Sequence, residues 1–160
     1  MSVQRIYTLF VSSLIFCFLS TFAYANDITE KEIQDFMLTV DTYFINKDVK
    51  NIESVMSEDY IMVSNMDIEG NTQMSTMNKE ETIEGLKNNW AQSKRYSYQR
   101  NSIKINILDE ITAQVIESIS ETGEYDFPFQ IDSTNDITIK KINGKYFVTQ
   151  VFSKSKAFKL

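Results

Sequence analysis

The chain has 160 residues with 22 acidic and 16 basic side chains, a formal charge of -6, one cysteine, one proline and no histidine. That length suits one domain, and 42% apolar residues with 24% charged suffice for a soluble core. The lack of histidine excludes Ser-His and Cys-His nucleophilic systems and histidine-ligated zinc or haem.

Residues 1–25 read as a secretory signal peptide. Arg5 supplies the positive start, Ile6 to Phe22 is an uncharged, mostly apolar run, and Ala23-Tyr24-Ala25 offers a small-x-small cleavage site. A retained membrane anchor is the alternative, because the run is near the length a bilayer needs. A lipoprotein fits worse, since bulky Phe16 precedes Cys17. Cleavage predicts a secreted or periplasmic chain, residues 26–160, without a stable membrane anchor. It removes the only cysteine, so the domain relies on its core rather than on a disulfide. The acidic balance and short basic clusters (Lys94-Arg95, Lys140-Lys141) argue against a nucleic-acid partner.

Residues 26–160 show no repeat, linker or low-complexity tract and read as one domain. Thr29 with Glu32 forms a capping-box signature, followed by apolar residues at helical spacing from Ile33 to Phe44. Asn46-Lys47-Asp48 breaks the pattern, and Asp48 can cap a short second helix carrying Val49, Ile52, Val55 and Met56. Tyr60 to Val63 reads as a short strand, and Ser64 to Thr76, with Gly70, as a loop or irregular hairpin. Asn78 with Glu81 starts a third helix carrying Ile83, Leu86 and Trp90 on one side.

The remainder reads as strands. Ile103, Ile105 and Ile107 alternate with polar residues, the period of a half-buried strand. A three-residue loop, Leu108 to Glu110, keeps the apolar faces of this strand and the next in phase, setting Ile105 beside Ala113 and Glu117 on the buried face opposite Asn101. A third strand runs through Phe127, Phe129, Ile131, Ile137 and Ile139, with Pro128 at a strand start or edge. Asn143-Gly144 is a two-residue hairpin turn that predicts Lys141 opposite Tyr146, Ile139 opposite Val148 and Ile137 opposite Gln150.

The order of elements, together with Asn46-Lys47-Asp48-Val49-Lys50-Asn51-Ile52 after the first helix, Glu58-Asp59 before the first strand and the Asn143-Gly144-Lys145-Tyr146 hairpin, resembles the nuclear transport factor 2-like superfamily, also called SnoaL-like or cystatin-like cones. The resemblance covers nearly all of residues 26–160. It implies an α+β fold: three N-terminal helices packed on a curved antiparallel sheet, a cone-shaped α+β barrel with an apolar pocket. Members include isomerases, dehydratases, cyclases and binding modules, so fold alone does not assign function. Enzymes of this fold often place an Asp-His or Tyr-Asp pair in the cone, and this chain departs from the first type. Members commonly dimerise through the outer sheet face, and a homodimer is expected, with Phe147 and Val151 on a second apolar surface.

The candidate ligand-binding residues are Asp41, Tyr60, Trp90, Tyr98, Asn101, Glu117 and Gln150. Glu117 interrupts an apolar strand face, which is costly for a carboxylate unless it is paired or wet. The alternative is a bulge at Val115-Ile116 that turns it to solvent. Asp41 flanks the buried stripe of the first helix and either lines a pocket mouth or is a boundary side chain. Tyr60, Trp90 and Tyr98 belong to an aromatic set with Tyr96, Phe127 and Phe129. Tyr98 and Trp90 carry polar handles suited to a ligand, whereas Phe127 and Phe129 read as core. Gln150 falls beside Ile137 on the inner face. Met56, Met62, Met66, Met74 and Met77 mark either a flexible ligand mouth or core filler with a mobile loop. Asp67-x-Glu69 is too sparse for a calcium loop, and neither a metal nor a cofactor is expected. The expected function is binding of a small, mostly apolar ligand. The alternatives are acid/base chemistry of isomerase, dehydratase or cyclase type, with Glu117 or Asp41 as base and Tyr98 or Tyr60 as donor, and a homodimeric interaction module.

Overall fold

The computed structural model describes residues 27–160. The proposed signal peptide lies outside the described residues. No helix among them is long and apolar enough to cross a membrane.

The first helix, α1, spans Glu30–Ile45. It starts where the sequence places it: Glu32 N–H donates to Thr29 Oγ1 at 3.2 Å, and Thr29 N–H donates to Glu32 Oε2 at 2.9 Å. Its buried stripe is Ile33, Met37 and Val40. Helix α2, Val49–Ser54, is capped by Asp48, which accepts from Asn51 N–H at 3.1 Å. Met56, expected at the end of that helix, instead opens strand β1. Helix α3, Lys79–Gln92, carries the second capping box, Asn78 with Glu81.

The strands are β1 (Met56–Ile68), β2 (Asn71–Asn78), β3 (Lys94–Ile107), β4 (Thr112–Glu124), β5 (Pro128–Ile142) and β6 (Lys145–Lys159). They form one curved, open, six-stranded sheet in the order β2-β1-β6-β5-β4-β3. Neighbours joined by turns are antiparallel. The β1–β6 seam is parallel, with Met62 beside Val151 and Ser64 beside Ser153. No turn joins these two strands, so nothing in the chain forces their directions to oppose. The segment read as a loop or irregular hairpin is a regular one, β1–β2. It closes through Glu69-Gly70, with Ile68 beside Asn71.

The later registers differ from expectation at two bulges. In the β5–β6 hairpin Lys141 faces Tyr146 and Ile139 faces Val148, as Asn143-Gly144 predicts. Thr149 is then an extra residue in β6, so Ile137 meets Val151 and Gln150 falls beside Thr138. Val151, expected on the outer surface, therefore turns into the core, and Phe152 turns out. In the β3–β4 hairpin Ile107 faces Ala113 rather than Ile111, and Ile105 faces Val115. The shift is by two, so the faces are preserved. Asn101 is the extra residue of a bulge between Arg100 and Ser102. Bulges bend strands and raise twist, which suits a sheet that must wrap around helices.

The packed core joins Ile28, Ile33 and Met37 to Ala113, Val115, Ile137, Ile139 and Val148. The other end of the concave side is not filled.

Candidate functional site

A cavity of about 330 Å³ occupies the concave side of the sheet, between it and the three helices. Three kinds of wall enclose it. Met56, Met62, Met66 and Met77 line the β1–β2 side, while Phe44, Trp90, Tyr96, Tyr98, Tyr125 and Phe129 line the α3–β3 side and the mouth. Inward residues of β4, β5 and β6 form the floor, and there the polar groups collect.

Glu117 is the centre of the deep polar group. It is 5% exposed and faces inward between Val115 and Ile119, as the interrupted apolar face predicts. The bulge that could have turned it outward lies instead in β3, where it turns Arg100 inward. Arg100 Nε donates to Glu117 Oε2 at 2.7 Å, and Arg100 Nη1 to Asp41 Oδ2 at 2.6 Å. Asn135 Nδ2 donates to Glu117 Oε1 at 2.9 Å, and Tyr98 OH donates to Asp41 Oδ1 at 2.9 Å. Arg100 is only 10% exposed, so the cluster is an ion-paired network inside the domain. Its Nη2 is buried without a hydrogen-bond partner. Burial pushes the Asp41 carboxyl above its ordinary range, against the opposing pull of Arg100 and Tyr98. Tyr98 is likewise pushed up, by burial first and then by the charges of Glu117 and Asp41.

The floor continues across the sheet as hydroxyls. Asn135 lies beside Ser153, and Ser153 beside Ser64. Ser133 and Ser155 share a hydrogen bond of 2.8 Å, and Ser153 and Ser155 one of 3.1 Å.

A second carboxylate, Glu121, faces the mouth two inward positions along β4. Tyr96 OH donates to its Oε1. Burial raises Glu121 above the usual carboxylate range, and the Tyr96 bond only partly offsets this. Burial and the neighbouring Glu121 charge raise Tyr96 in turn.

Of the seven residues picked from the sequence, Tyr60, Trp90, Tyr98 and Glu117 line the cavity; Asp41 joins Tyr98 and Glu117 in one network through Arg100 but lies outside the cavity lining, on a neighbouring hollow beside Leu38 and Ile45. Tyr60, buried with little solvent contact, has its phenol pushed up to about 12. Asn101 and Gln150 are corrections. Asn101, at the β3 bulge, turns outward and donates to Ser120 Oγ at 2.8 Å. The β6 bulge sets Gln150 beside Thr138 and Ile61, outside the cavity lining. Phe127 is also corrected: it is 43% exposed under Lys159 rather than core. Met74 stands 73% exposed, apart from Met56, Met62, Met66 and Met77, which line the cavity. Sequence reasoning missed Arg100, Glu121 and Asn135. Arg100 sits in a polar stretch that carries no inward signal until the bulge is known. Glu121, in phase with Glu117 on an alternating strand, was within reach of the same argument that found Glu117.

Among the described residues no cluster of His, Cys, Asp and Glu could hold a metal ion.

The sequence matches no family model and no curated protein. Solved structures do resemble the fold. A scytalone dehydratase-like protein from Novosphingobium aromaticivorans superposes with a TM-score of 0.66 at 11% identity, covering 80% of this chain and 85% of that one. A nuclear transport factor 2-like protein from Cytophaga hutchinsonii gives 0.64 at 18% identity, with 80% and 99% covered. The hexachlorocyclohexane dehydrochlorinase LinA-type3 from Novosphingobium barchaimii gives 0.62 at 12% identity, with 80% and 87% covered. At such identities the likeness establishes the fold alone: the chain has the nuclear transport factor 2-like cone fold.

Proposed function

We propose that this domain binds a small, mostly apolar ligand inside the cone. The single observation that supports it best is the cavity of about 330 Å³, walled by methionine and aromatic side chains and floored by a few inward polar groups. That combination characterises small-molecule sites, where apolar walls supply affinity and sparse polar groups fix orientation. The deep polar group selects against anions. Asp41 and Glu117 together outweigh the charge of Arg100, so a second carboxylate there would meet net negative charge. A neutral oxygen or a hydrogen-bond donor suits it.

Trp90 is the only tryptophan and lines the cavity, so its emission reports occupancy. Titration with a panel of small aromatic and alicyclic compounds should quench or shift that emission saturably for at least one of them and raise the melting temperature of the complex. A flat response across the panel, with no thermal shift, removes the reading.

Acid/base chemistry is the second reading. It draws on the Glu117 carboxylate and the Tyr98 phenol, which both line the cavity and are joined through Arg100 and Asp41. The scytalone dehydratase-like and dehydrochlorinase structures show that the fold is used by proteins so named. A ligand found by titration, incubated in deuterated water, should then gain deuterium at carbon in the wild type and not in Glu117→Gln.

Export remains part of the proposal. It rests on the Arg5, apolar run and Ala23-Tyr24-Ala25 pattern, and N-terminal sequencing of the extracytoplasmic protein should read Asn26-Asp27.

A further inference from the structure

The mouth of the cavity differs chemically from its deep end. Glu121 is the inward carboxylate there, and its hydrogen-bond partner is the Tyr96 hydroxyl. Among the described residues it makes no ion pair, whereas Glu117 and Asp41 share Arg100. Around it stand aromatic rings. Trp90 and Tyr96 meet edge to face with centroids 5.8 Å apart. Tyr125 and Phe129 stack with centroids 4.8 Å apart and planes at 12°. Phe129 owes its place to Gly123, which it faces across the β4–β5 ladder: a Cβ at Gly123 would come within 2.6 Å of the ring.

A buried carboxylate without a cation is an unfavourable arrangement in an apolar setting. Aromatic faces compound it, because their quadrupole repels anions and attracts cations. The phenol hydrogen of Tyr96 is already committed. Lys47 Nζ, held by the carbonyls of Trp90 and Ser93, already lies 5.2 Å over the Tyr96 ring, so what remains on offer to a ligand at the mouth is the Glu121 carboxylate and the π-faces of Trp90, Tyr125 and Phe129. A carboxylate ligand would be repelled, and a neutral acceptor would find no free donor on Glu121. An ammonium group answers every one of these features.

From this juxtaposition we propose that the cone takes an apolar amine, its ammonium group held at the mouth by Glu121 among Trp90, Tyr96, Tyr125 and Phe129, with the apolar tail directed down the cavity. The inference rests on the cone being a ligand pocket and specifies what that ligand carries. No bond is made or broken. The site is a counter-ion and aromatic enclosure for an organic cation.

The test uses three compounds of one shape, phenethylamine, phenethyl alcohol and phenylacetate, each titrated against the wild type by Trp90 emission. The amine should bind about tenfold or more tightly than the alcohol, as a desolvated cation–π and ion-pair contact requires. Phenylacetate should bind weakest. In Glu121→Gln the ratio of amine to alcohol affinity should collapse to about one. Tyr125→Leu, at a ring partly open to solvent, should lower that ratio without loss of fold, a result that does not depend on the Glu121 variant. Equal binding of alcohol and amine by the wild type, or a preference that survives in Glu121→Gln, overturns the ammonium site while leaving the cone as a pocket. Failure of all three compounds to bind overturns both.

Discussion

Arg100 holds two largely buried carboxylates that would otherwise lack a cation. Its guanidinium reaches Asp41 on α1 and Glu117 on β4, so it ties the first helix to the sheet as well as neutralising charge. Removing one partner of a buried pair leaves the other uncompensated, a loss of about 3–5 kcal/mol. Arg100→Met is expected to lose that much in urea denaturation. The triple variant Asp41→Asn, Arg100→Met, Glu117→Gln should recover most of it, because no buried charge is left unpaired. Glu121 behaves in the opposite sense. Its folded carboxyl titrates above the ordinary value of 4.5, so the folded state binds more protons than the unfolded one. The stability linked to Glu121 is therefore complete below that ordinary value and is lost as pH rises through the raised folded value. Asp41, raised from 3.8, contributes in the same direction from a slightly lower start. Glu121→Gln should flatten this decline and unfold at higher urea than the wild type at neutral pH, as a pH series of urea midpoints will read. Glu117 was legible in the sequence as the break in an apolar face. Arg100 was not, because its inward direction is created by a bulge that no residue type announces.

At the scale of elements, local chemistry was legible wherever it is self-contained. The Thr29–Glu32 and Asn78–Glu81 boxes fixed helix starts, and Asn143-Gly144 fixed a turn. The β1–β2 turn was legible only as a loop or irregular hairpin, for a physical reason. Glu69 and Gly70 both adopt positive φ, 52° and 86°, the arrangement of a type I′ turn, yet glutamate is a poor residue for the first of these positions. Asp67 supports it, accepting from Gly70 N–H at 2.8 Å. Glu69→Asn should therefore stabilise the hairpin by roughly 0.5 kcal/mol, and Gly70→Ala should cost about 1 kcal/mol, both read from denaturant midpoints. Strand register shows the complementary limit. Period-two alternation gives the face of each residue only up to the next bulge, and Thr149 and Asn101 each invert it. That inversion moved Gln150 out of the site and Val151 into the core.

At the scale of the whole molecule, the interior divides into a packed end and an open one, and the division follows strand length and helix reach. Strands of 13 to 15 residues extend beyond what α1 and the short α2 can cover. Near the packed end the sheet closes on Ile33 and Met37; toward the other it surrounds empty space. The parallel β1–β6 seam makes this possible by placing the methionines of β1 opposite the aromatic side. Only the assembled sheet reveals it, since these strands are joined by most of the chain. Two inward positions on β4 allow a direct comparison. Val115 is fully buried and lies outside the cavity lining, whereas Ile119, four residues on and facing the same way, borders the cavity. Val115→Phe forces a ring into close-packed surroundings and should cost about 1–3 kcal/mol or more. Ile119→Phe has room to place its ring in the hollow and should change stability by less than about 1 kcal/mol. It should also weaken uptake of any ligand that Trp90 emission detects, because the added ring occupies the same space. If the two substitutions prove equally costly, the region beside Ile119 is packed as tightly as the core and the cavity is not available to a ligand.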